Sequence, residues 1–162
     1  MGLSRRNSPE DPDLRALAAE IRAIGFSCRR CGACCRPGPD DSGVVFTSRD
    51  EVEALVATGA GSWDEVADPY PEFLSWGDGS AVTFGWCLRH EGGRCRFLSE
   101  RSCSRYRARP WICRTYPFAL EEGELSVSDC PGLGEPISGE DALALAAISS
   151  IGRGKRLETR TW

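Results

Sequence analysis

Cysteine content constrains this chain more strongly than any other feature of its sequence. Nine cysteines occur in 162 residues, an odd number, and two of them are adjacent at Cys34 and Cys35. The first six residues contain no apolar stretch of the kind a signal peptide requires, so an exported disulfide framework is not expected. Clustered thiols in a cytoplasmic chain are more often metal ligands. The sequence therefore predicts a cytoplasmic, metal-binding protein.

Other kinds of chemistry have little support. The chain holds one histidine, His90, and one lysine, Lys155, and it lacks both the Gly-x-Ser-x-Gly elbow and the Gly-x-x-x-x-Gly-Lys phosphate loop. Its longest apolar run, 142–148, is far shorter than the ~20 residues of a membrane helix. We therefore expect no membrane association. No catalytic acid–base set is identifiable, which leaves an iron–sulfur oxidoreductase or an accessory protein as the open enzymatic interpretations.

Local patterns predict a small, loop-rich α+β fold in a single domain spanning residues 1–162, with flexible tails at 1–10 and 155–162. Helix-start signals occur at four places: Ser8-Pro9, for a helix ending at Gly25; Thr47-x-x-Asp50, for a helix through Ala57; Ser62; and Ser138. Strand patterns occur at 44–46, 81–86, near Phe118 and at 125–127. We expect Trp63, Trp76, Trp86 and Trp111 to supply a small core.

The run Cys28-x-x-Cys31-x-x-Cys34 has a clear physical use. Ligands three residues apart in a turn converge on one centre, and Gly32 permits a left-handed backbone between them. Ferredoxin-type runs use the same spacing to hold three corners of a [4Fe–4S] cluster, and a further ligand there precedes proline, as Cys130 does here. The spacing favours an iron–sulfur centre.

Cys35 requires a separate interpretation. Adjacent side chains on extended backbone point to opposite sides, so Cys34 and Cys35 are predicted to serve different centres, unless Cys35 is not a ligand. The remaining cysteines are not arranged as the two close pairs of a typical structural zinc site. Cys87-x-x-His90 is a conceivable mixed pair, but we expect both residues to be bystanders. All-sulfur ligation suits zinc or iron–sulfur centres and argues against Mg²⁺ and Ca²⁺.

Arginine is concentrated around the later cysteines. Between Trp86 and Tyr116 there are eight arginines and two acids, so this stretch carries +6 in a chain of −4 and the rest carries −10. Guanidinium groups near a thiolate centre would offset its negative charge and lower thiol pKa values. A solvated arginine surface is the alternative. A nucleic-acid patch is a weaker one, because the overall balance is acidic.

Taken together, the motifs resemble a known family. They are Cys28-x-x-Cys31-x-x-Cys34-Cys35, Cys95-Arg-Phe-Leu, Cys103-x-x-Tyr-x-x-Arg109-Pro-x-x-Cys113-Arg-x-Tyr-Pro-Phe, and Cys130-Pro-Gly. This pattern, over about residues 26–132, is similar to the CxxCxxCC family of zinc- or iron-chelating domains. The resemblance implies a cysteine-cluster metal-binding core, and members are often labelled iron–sulfur proteins. The ligands it implies are Cys28, Cys31, Cys34, Cys35, Cys95, Cys103, Cys113 and Cys130.

These observations favour a metal-binding protein that carries iron–sulfur centres, with [4Fe–4S] the favoured cluster, in a redox, electron-transfer or accessory role. The alternative is a zinc-binding (Zn²⁺) structural or protein-interaction module. A protein partner, as redox or modification target, is expected. One possible division groups Cys28, Cys31 and Cys34 with Cys130, and Cys35 with Cys95, Cys103 and Cys113. We expect the surroundings of the centres to be formed by Tyr106, Arg109, Pro110, Arg114, Tyr116, Pro117 and Phe118.

Overall fold

The structure is a computed structural model. It describes residues 11–37, 44–69, 74–75, 81–82, 85–121 and 123–158. The predicted N-terminal tail, Trp76 and the end of the predicted C-terminal tail lie outside these ranges. The chain divides into two compact units: the first comprises Met1–Arg29 and Arg114–Thr161, and the second comprises Arg30–Cys113. The single domain expected from the sequence stays a prediction.

The described residues form helices and short antiparallel strands, which confirms the predicted α+β class. The helices are Pro12–Ile24 (α1), Arg49–Ala57 (α2), Trp63–Val66 (α3), Trp111–Thr115 (α4) and Gly139–Glu158 (α5), with 3₁₀ turns at Ala33–Cys35 and Tyr106–Ala108. The strands are Phe46–Thr47 (β1), Ala67–Pro69 (β2), Leu74–Ser75 (β3), Ala81–Val82 (β4), Trp86–Leu88 (β5), His90–Glu91 (β6), Arg94–Cys95 (β7), Leu98–Ser99 (β8), Ser102–Cys103 (β9), Phe118–Glu121 (β10) and Glu124–Val127 (β11). Within the described ranges, no helix is long and apolar enough to cross a bilayer.

Helix α1 begins later than the sequence pattern predicts. Asp11 is the N-cap, because its carboxylate accepts a hydrogen bond of 3.0 Å from the backbone N–H of Asp13, and Pro12 occupies the first helical position. The predicted start at Ser8 and Pro9 is therefore wrong. A polar residue followed by proline occurs twice, at Ser8-Pro9 and at Asp11-Pro12, and the second pair supplies the N-cap and the first helical residue. Gly25 ends it with a φ of 76°, as predicted.

The first unit has its own apolar core. Leu14 and Ile21 of α1 pack with Ala142 and Ala146 of α5. Phe118 at the start of β10 joins this cluster and is 2% exposed. Its ring meets that of Phe26 edge to face, with centroids 5.7 Å apart. The predicted strands near Phe118 and at 125–127 are confirmed as the hairpin of β10 and β11.

Helix α5 follows the predicted start. The Ser138 hydroxyl accepts a hydrogen bond of 3.0 Å from the Asp141 N–H, which caps the first turn. The helix continues through Glu158, past Lys155, where the predicted tail begins.

The second unit is organised around a three-stranded antiparallel sheet in the order β1-β5-β2. Helix α2 contributes Val52 and Leu55 to the core beneath it, with Val66, Leu88 and Phe97. The Trp63 and Trp86 rings pack edge to face against this core, with centroids 5.1 Å apart. The strand predicted at 81–86 is instead two strands, β4 and β5.

Two capping boxes start the helices of this unit. The first uses Ser48 and Glu51: the Ser48 N–H donates to Glu51 Oε2 at 2.9 Å and the Glu51 N–H to the Ser48 hydroxyl. The predicted box of Thr47 and Asp50 is one residue out of register, because Thr47 is buried in β1. The start predicted at Ser62 is confirmed, with the Ser62 N–H donating to Glu65 at 2.7 Å.

Candidate metal centre

Four thiols of the second unit meet at one place. Cys34 and Cys35 lie on the 3₁₀ turn, Cys95 ends β7 and Cys103 ends β9. The Cys35 sulfur lies within hydrogen-bond reach of the sulfurs of Cys34, Cys95 and Cys103. Cys35 and Cys95 are buried, Cys103 is half-buried and Cys34 is exposed. Residues distant in sequence thus form a compact group of sulfur atoms, which we call the sulfur cluster.

The backbone conformation at the adjacent cysteines differs from the sequence expectation. Cys34 and Cys35 lie in a 3₁₀ turn, not on extended backbone. Successive side chains in such a turn, with three residues per turn, diverge by about 120° and not by 180°. The two thiols therefore belong to one group. The extended backbone expected for this pair is therefore wrong, while the assignment of Cys34 and Cys35 to different centres, and the division built on it, stay predictions.

Gly32 brings this turn against the neighbouring hairpin. It has a left-handed φ of 70°, as the sequence suggested, and caps the 3₁₀ turn. A Cβ atom at this position would lie 2.6 Å from Leu98 Cδ1 and 2.8 Å from the Arg101 carbonyl oxygen. Because Leu98 pairs with Cys103 across β8 and β9, the close approach at Gly32 places the turn beside Cys103.

Cys95 and Cys103 occupy equivalent positions in two successive hairpins. Cys95 pairs with His90 across β6 and β7, and Cys103 pairs with Leu98 across β8 and β9. Each residue of the second pair lies eight positions after the corresponding residue of the first. After each cysteine the backbone N–H two residues later bonds to the sulfur, from Phe97 to Cys95 and from Arg105 to Cys103. The spacing of eight was visible in the sequence, but the repeated hairpin behind it was missed.

Hydrogen bonds and charge together favour thiolates in the sulfur cluster. Hydrogen bonding to Cys35 and the positive charge of Arg109 lower the pKa of Cys34 to about 7. Hydrogen bonding to Cys35, the Arg105 N–H, and the charges of Arg109 and Arg105 lower the pKa of Cys103 to about 6. Hydrogen bonding to Cys35 also lowers the pKa of Cys95. The pKa of Cys35 itself is raised, chiefly because its proton is shared with these sulfurs.

Cys113 is a fifth thiol close to this group. Burial raises its pKa to about 12, and the negative charges of Cys95, Cys34 and Cys103 add to the effect. Its helix is anchored at the first residue, because the Trp111 N–H donates to Glu51 Oε1 at 2.7 Å. The Cys113 thiol therefore responds to the sulfur cluster through charge, and its high pKa keeps it protonated at neutral pH.

Arg109 acts on the sulfur cluster through its charge. The sequence pattern placed Arg109 and Arg114 among the surroundings of the centres, where hydrogen bonds from the guanidinium groups to sulfur are one expectation. Instead, Arg109 donates to the carbonyl oxygens of Tyr106 at 2.9 Å and Cys113 at 3.2 Å. Its guanidinium also stacks 3.7 Å above the Tyr106 ring, which Arg30 covers at 4.2 Å. Arg114 is exposed.

Cys28 and Cys130 belong to the first unit. Phe26 forms a β-bridge with Leu133, and the Ser27 N–H donates to the Gly132 carbonyl at 2.9 Å, so the segments that carry the two cysteines run side by side. The Gly132 N–H lies 3.4 Å from the Cys130 sulfur, again from two residues later. Cys31 belongs to the second unit, since the boundary falls between Arg29 and Arg30.

Cys87 and His90 make local contacts. The Cys87 thiol donates to the Asp68 carbonyl at 3.5 Å, and burial raises its pKa. His90 Nδ1 lies 3.0 Å from the Leu88 carbonyl oxygen. Both residues therefore have backbone partners close by, and their expected role as bystanders stays a prediction.

The donor set fits a thiophilic metal. Sulfur ligands suit zinc and iron and do not suit Mg²⁺ or Ca²⁺. Across the described ranges, no group of three or more histidine, cysteine, aspartate or glutamate side chains is already disposed around a metal position.

The fold and the sulfur cluster define a class, that of small α+β metal-binding modules built on cysteine. A family model matches residues 27–131: CxxCxxCC, described as "Putative zinc- or iron-chelating domain". The chain belongs to this family, and it is a metal-binding protein in that sense. Neither a curated protein nor a solved structure matches the chain.

Proposed function

We propose that Cys34, Cys35, Cys95 and Cys103 bind a single metal ion, and that this ion is zinc. The observation that carries the proposal is the packing of these thiols: Cys35 and Cys95 are buried in one cluster, Cys103 packs against it, and hydrogen bonding links Cys35 to the other three. Zinc in structural sites takes four ligands at about 2.3 Å from sulfur, which places neighbouring sulfurs about 3.8 Å apart in a tetrahedron. The same part of the second unit supplies all four sulfur donors that such a site requires.

A [4Fe–4S] cluster would require a wider arrangement. Each of its four cysteine ligands binds a different iron corner, so the thiolates are separated by the body of the cluster. Cys35 would have to move away from all three of its neighbours to reach such a corner. The present sulfur positions therefore favour a single ion over the iron–sulfur centre that the cysteine spacing alone favoured.

Charge supports a tetrathiolate site at this position. Four thiolates and one divalent ion carry a net charge of about −2, and cations nearby reduce the cost of holding that charge. Arg109 and Arg105 already lower the pKa of Cys103, and Arg109 that of Cys34. When bound, zinc would supply folding energy, because its ligands come together only in the folded chain.

On this proposal the protein is a zinc-stabilised structural or protein-interaction module without catalysis. We propose a cytoplasmic location, which the free state of the cysteines supports. The partner is a protein, and exposed Arg94, Arg101 and Arg107 give it a positively charged surface to meet. The acidic balance of the whole chain, −4, speaks against nucleic acid.

A second candidate is an iron–sulfur redox or electron-transfer protein. The ferredoxin-like spacing of Cys28, Cys31 and Cys34 favours it, and so does Cys130 before Pro131. The N–H of Gly132, 3.4 Å from the Cys130 sulfur, is the kind of hydrogen bond that tunes an iron–sulfur potential.

Metal and sulfide analysis after anaerobic purification distinguishes the zinc proposal from the iron–sulfur candidate. The zinc proposal predicts a colourless protein with about one zinc per sulfur cluster and no inorganic sulfide. Substituting Cys95→Ser should weaken zinc binding by roughly a hundredfold, whereas Cys87→Ser, the matched control, should leave it unchanged. Iron with inorganic sulfide, and visible absorbance that dithionite bleaches, would establish the second candidate instead. A folded protein that binds neither metal would overturn both.

A further inference from the structure

We propose that Arg36 is the positioning residue of the sulfur cluster, a role that rests on the proposed function. Its side chain folds back over the turn that carries Cys34 and Cys35. Nη1 donates to the Gly32 carbonyl oxygen at 3.1 Å and reaches that of Cys31 at 3.5 Å. Nη2 donates to the Glu100 carbonyl oxygen at 3.1 Å. One guanidinium therefore joins two backbone segments that are far apart in sequence.

The two joined segments each carry ligands of the proposed site. Gly32 directly precedes the 3₁₀ turn of Cys34 and Cys35, and Glu100 lies in the turn between β8 and β9, three residues before Cys103. Glu100 has a positive φ of 52°, a conformation that non-glycine residues adopt only where their surroundings fix it. Arg36 thus fixes the distance between the Cys34–Cys35 turn and the hairpin of Cys103.

Gly32 makes this link possible. A Cβ on Gly32 would lie 3.1 Å from Arg36 Nη1, in addition to its conflicts with Leu98 and the Arg101 carbonyl. The absence of a side chain leaves room for the guanidinium to lie flat against the turn. Only arginine supplies two separate donor nitrogens in a rigid plane, so a lysine could reach one of these segments but not clamp both.

Loss of the Arg36 side chain should reduce the number of thiolates that bind the ion. Without the clamp the turn would no longer be held against the hairpin, and the exposed Cys34 would be the first thiol to be lost from the ion. Partners that orient metal ligands typically contribute about 10- to 100-fold in metal affinity. We therefore expect Arg36→Met to weaken zinc binding by about 10- to 100-fold, and Arg36→Lys to recover part of the loss.

The test uses the full chain as wild type, Arg36→Met, Arg36→Lys and the control Arg49→Met. Arg49 is an exposed arginine that pairs with Glu53, one helical turn away at 2.9 Å. Zinc affinity is measured by competition with a chromophoric chelator, and Co²⁺ is substituted to report ligand type through its visible bands. Arg36→Met should bind Co²⁺ with the bands of three thiolates, and Arg49→Met with those of four.

Unchanged zinc affinity and an unchanged Co²⁺ spectrum in Arg36→Met would overturn the inference. So would a weaker affinity with a four-thiolate spectrum at saturation, because that result indicates a general loss of stability. If Arg36→Met does not fold, Arg36→Lys must show a lower affinity than wild type with an altered spectrum, or the inference fails. A wild-type protein without a thiolate-bound ion would overturn the proposed function and this inference with it.

Discussion

The cysteines of the two units differ in how much the surrounding backbone prepares them. In the second unit, two hairpins and a 3₁₀ turn bring four thiols into one group, and Arg36 and Gly32 hold the turn in place. In the first unit, a single β-bridge aligns the segments of Cys28 and Cys130, and Cys28 is exposed. The presence of the cysteine motif is therefore not sufficient to bring thiols together. Several sulfurs come together where local turns bring distant parts of the chain side by side.

Metal removal should give the largest contrast between the units. Structural zinc contributes about 10–16 kcal/mol in zinc-finger peptides, so chelation should unfold the part of the second unit that depends on the ion. We expect the amides of 90–103 to lose hydrogen-exchange protection, while those of α1 and α5 retain theirs. Equal loss of protection in both units would contradict the comparison.

Removing one ligand should have the next largest effect. Cys95→Ser deletes one of four thiolates, and a quarter of the zinc contribution is about 3 kcal/mol, or roughly a hundredfold in affinity. Cys130→Ser is the matched substitution in the first unit and should leave zinc affinity at the sulfur cluster unchanged. Chelator competition measures both. Similar losses from the two substitutions would contradict the comparison.

Gly32→Ala should destabilise the second unit although it replaces none of the proposed zinc ligands. The left-handed backbone costs a non-glycine residue about 1–3 kcal/mol, and the contacts with Leu98 and the Arg101 carbonyl add to this. We expect a total loss of about 2–4 kcal/mol in the free energy of unfolding by urea. Gly59→Ala is the control, because its φ is also left-handed but its Cβ would meet nothing within 4 Å. Equal losses would show that crowding at Gly32 is unimportant.

Arg109→Gln should have a moderate effect on the metal and a small one on the fold. Loss of the positive charge near Cys34 and Cys103 should raise their pKa values, so more protons must leave when the ion binds. We expect zinc affinity at about pH 7 to fall about 10-fold, with the loss diminishing as the pH is raised. A loss that does not depend on pH would indicate that Arg109 acts only through its backbone hydrogen bonds.

The ion pair of Arg29 and Glu135 in the first unit should contribute least. Its side chains are 54% and 42% exposed, and exposed pairs typically contribute about 0–1 kcal/mol. Arg29→Ala should therefore change the unfolding free energy by less than about 1 kcal/mol and leave zinc affinity unchanged. A larger effect would show that the segment before Cys28 is more firmly held than its exposure indicates.

Local signals in the sequence were sufficient for much of the fold. The caps at Ser62 and Ser138, the stop at Gly25 and the β10–β11 hairpin follow from rules that involve only neighbouring residues. The helix starts at Asp11 and Ser48 were misplaced because each lies beside a competing residue of similar chemistry. Only burial, which depends on the rest of the fold, excludes Thr47 as the cap.

The candidate site was less accessible to sequence reasoning. The eight candidate cysteines came from the pattern, but the pattern cannot show which of them meet. That Cys34 and Cys35 share one group depends on the 3₁₀ turn, and that turn depends on contacts of Gly32 and Arg36 with residues more than sixty positions away. All eight ligands in the family motif therefore stay predictions, both the four of the sulfur cluster and Cys28, Cys31, Cys113 and Cys130.

The two equivalent hairpins have a consequence for how this chain tolerates change in length. Side chains alternate across a strand, so one residue inserted between β6 and β7 or between β8 and β9 would turn Cys95 or Cys103 to the opposite face. Homologous chains should therefore keep the spacing from His90 to Cys103 constant.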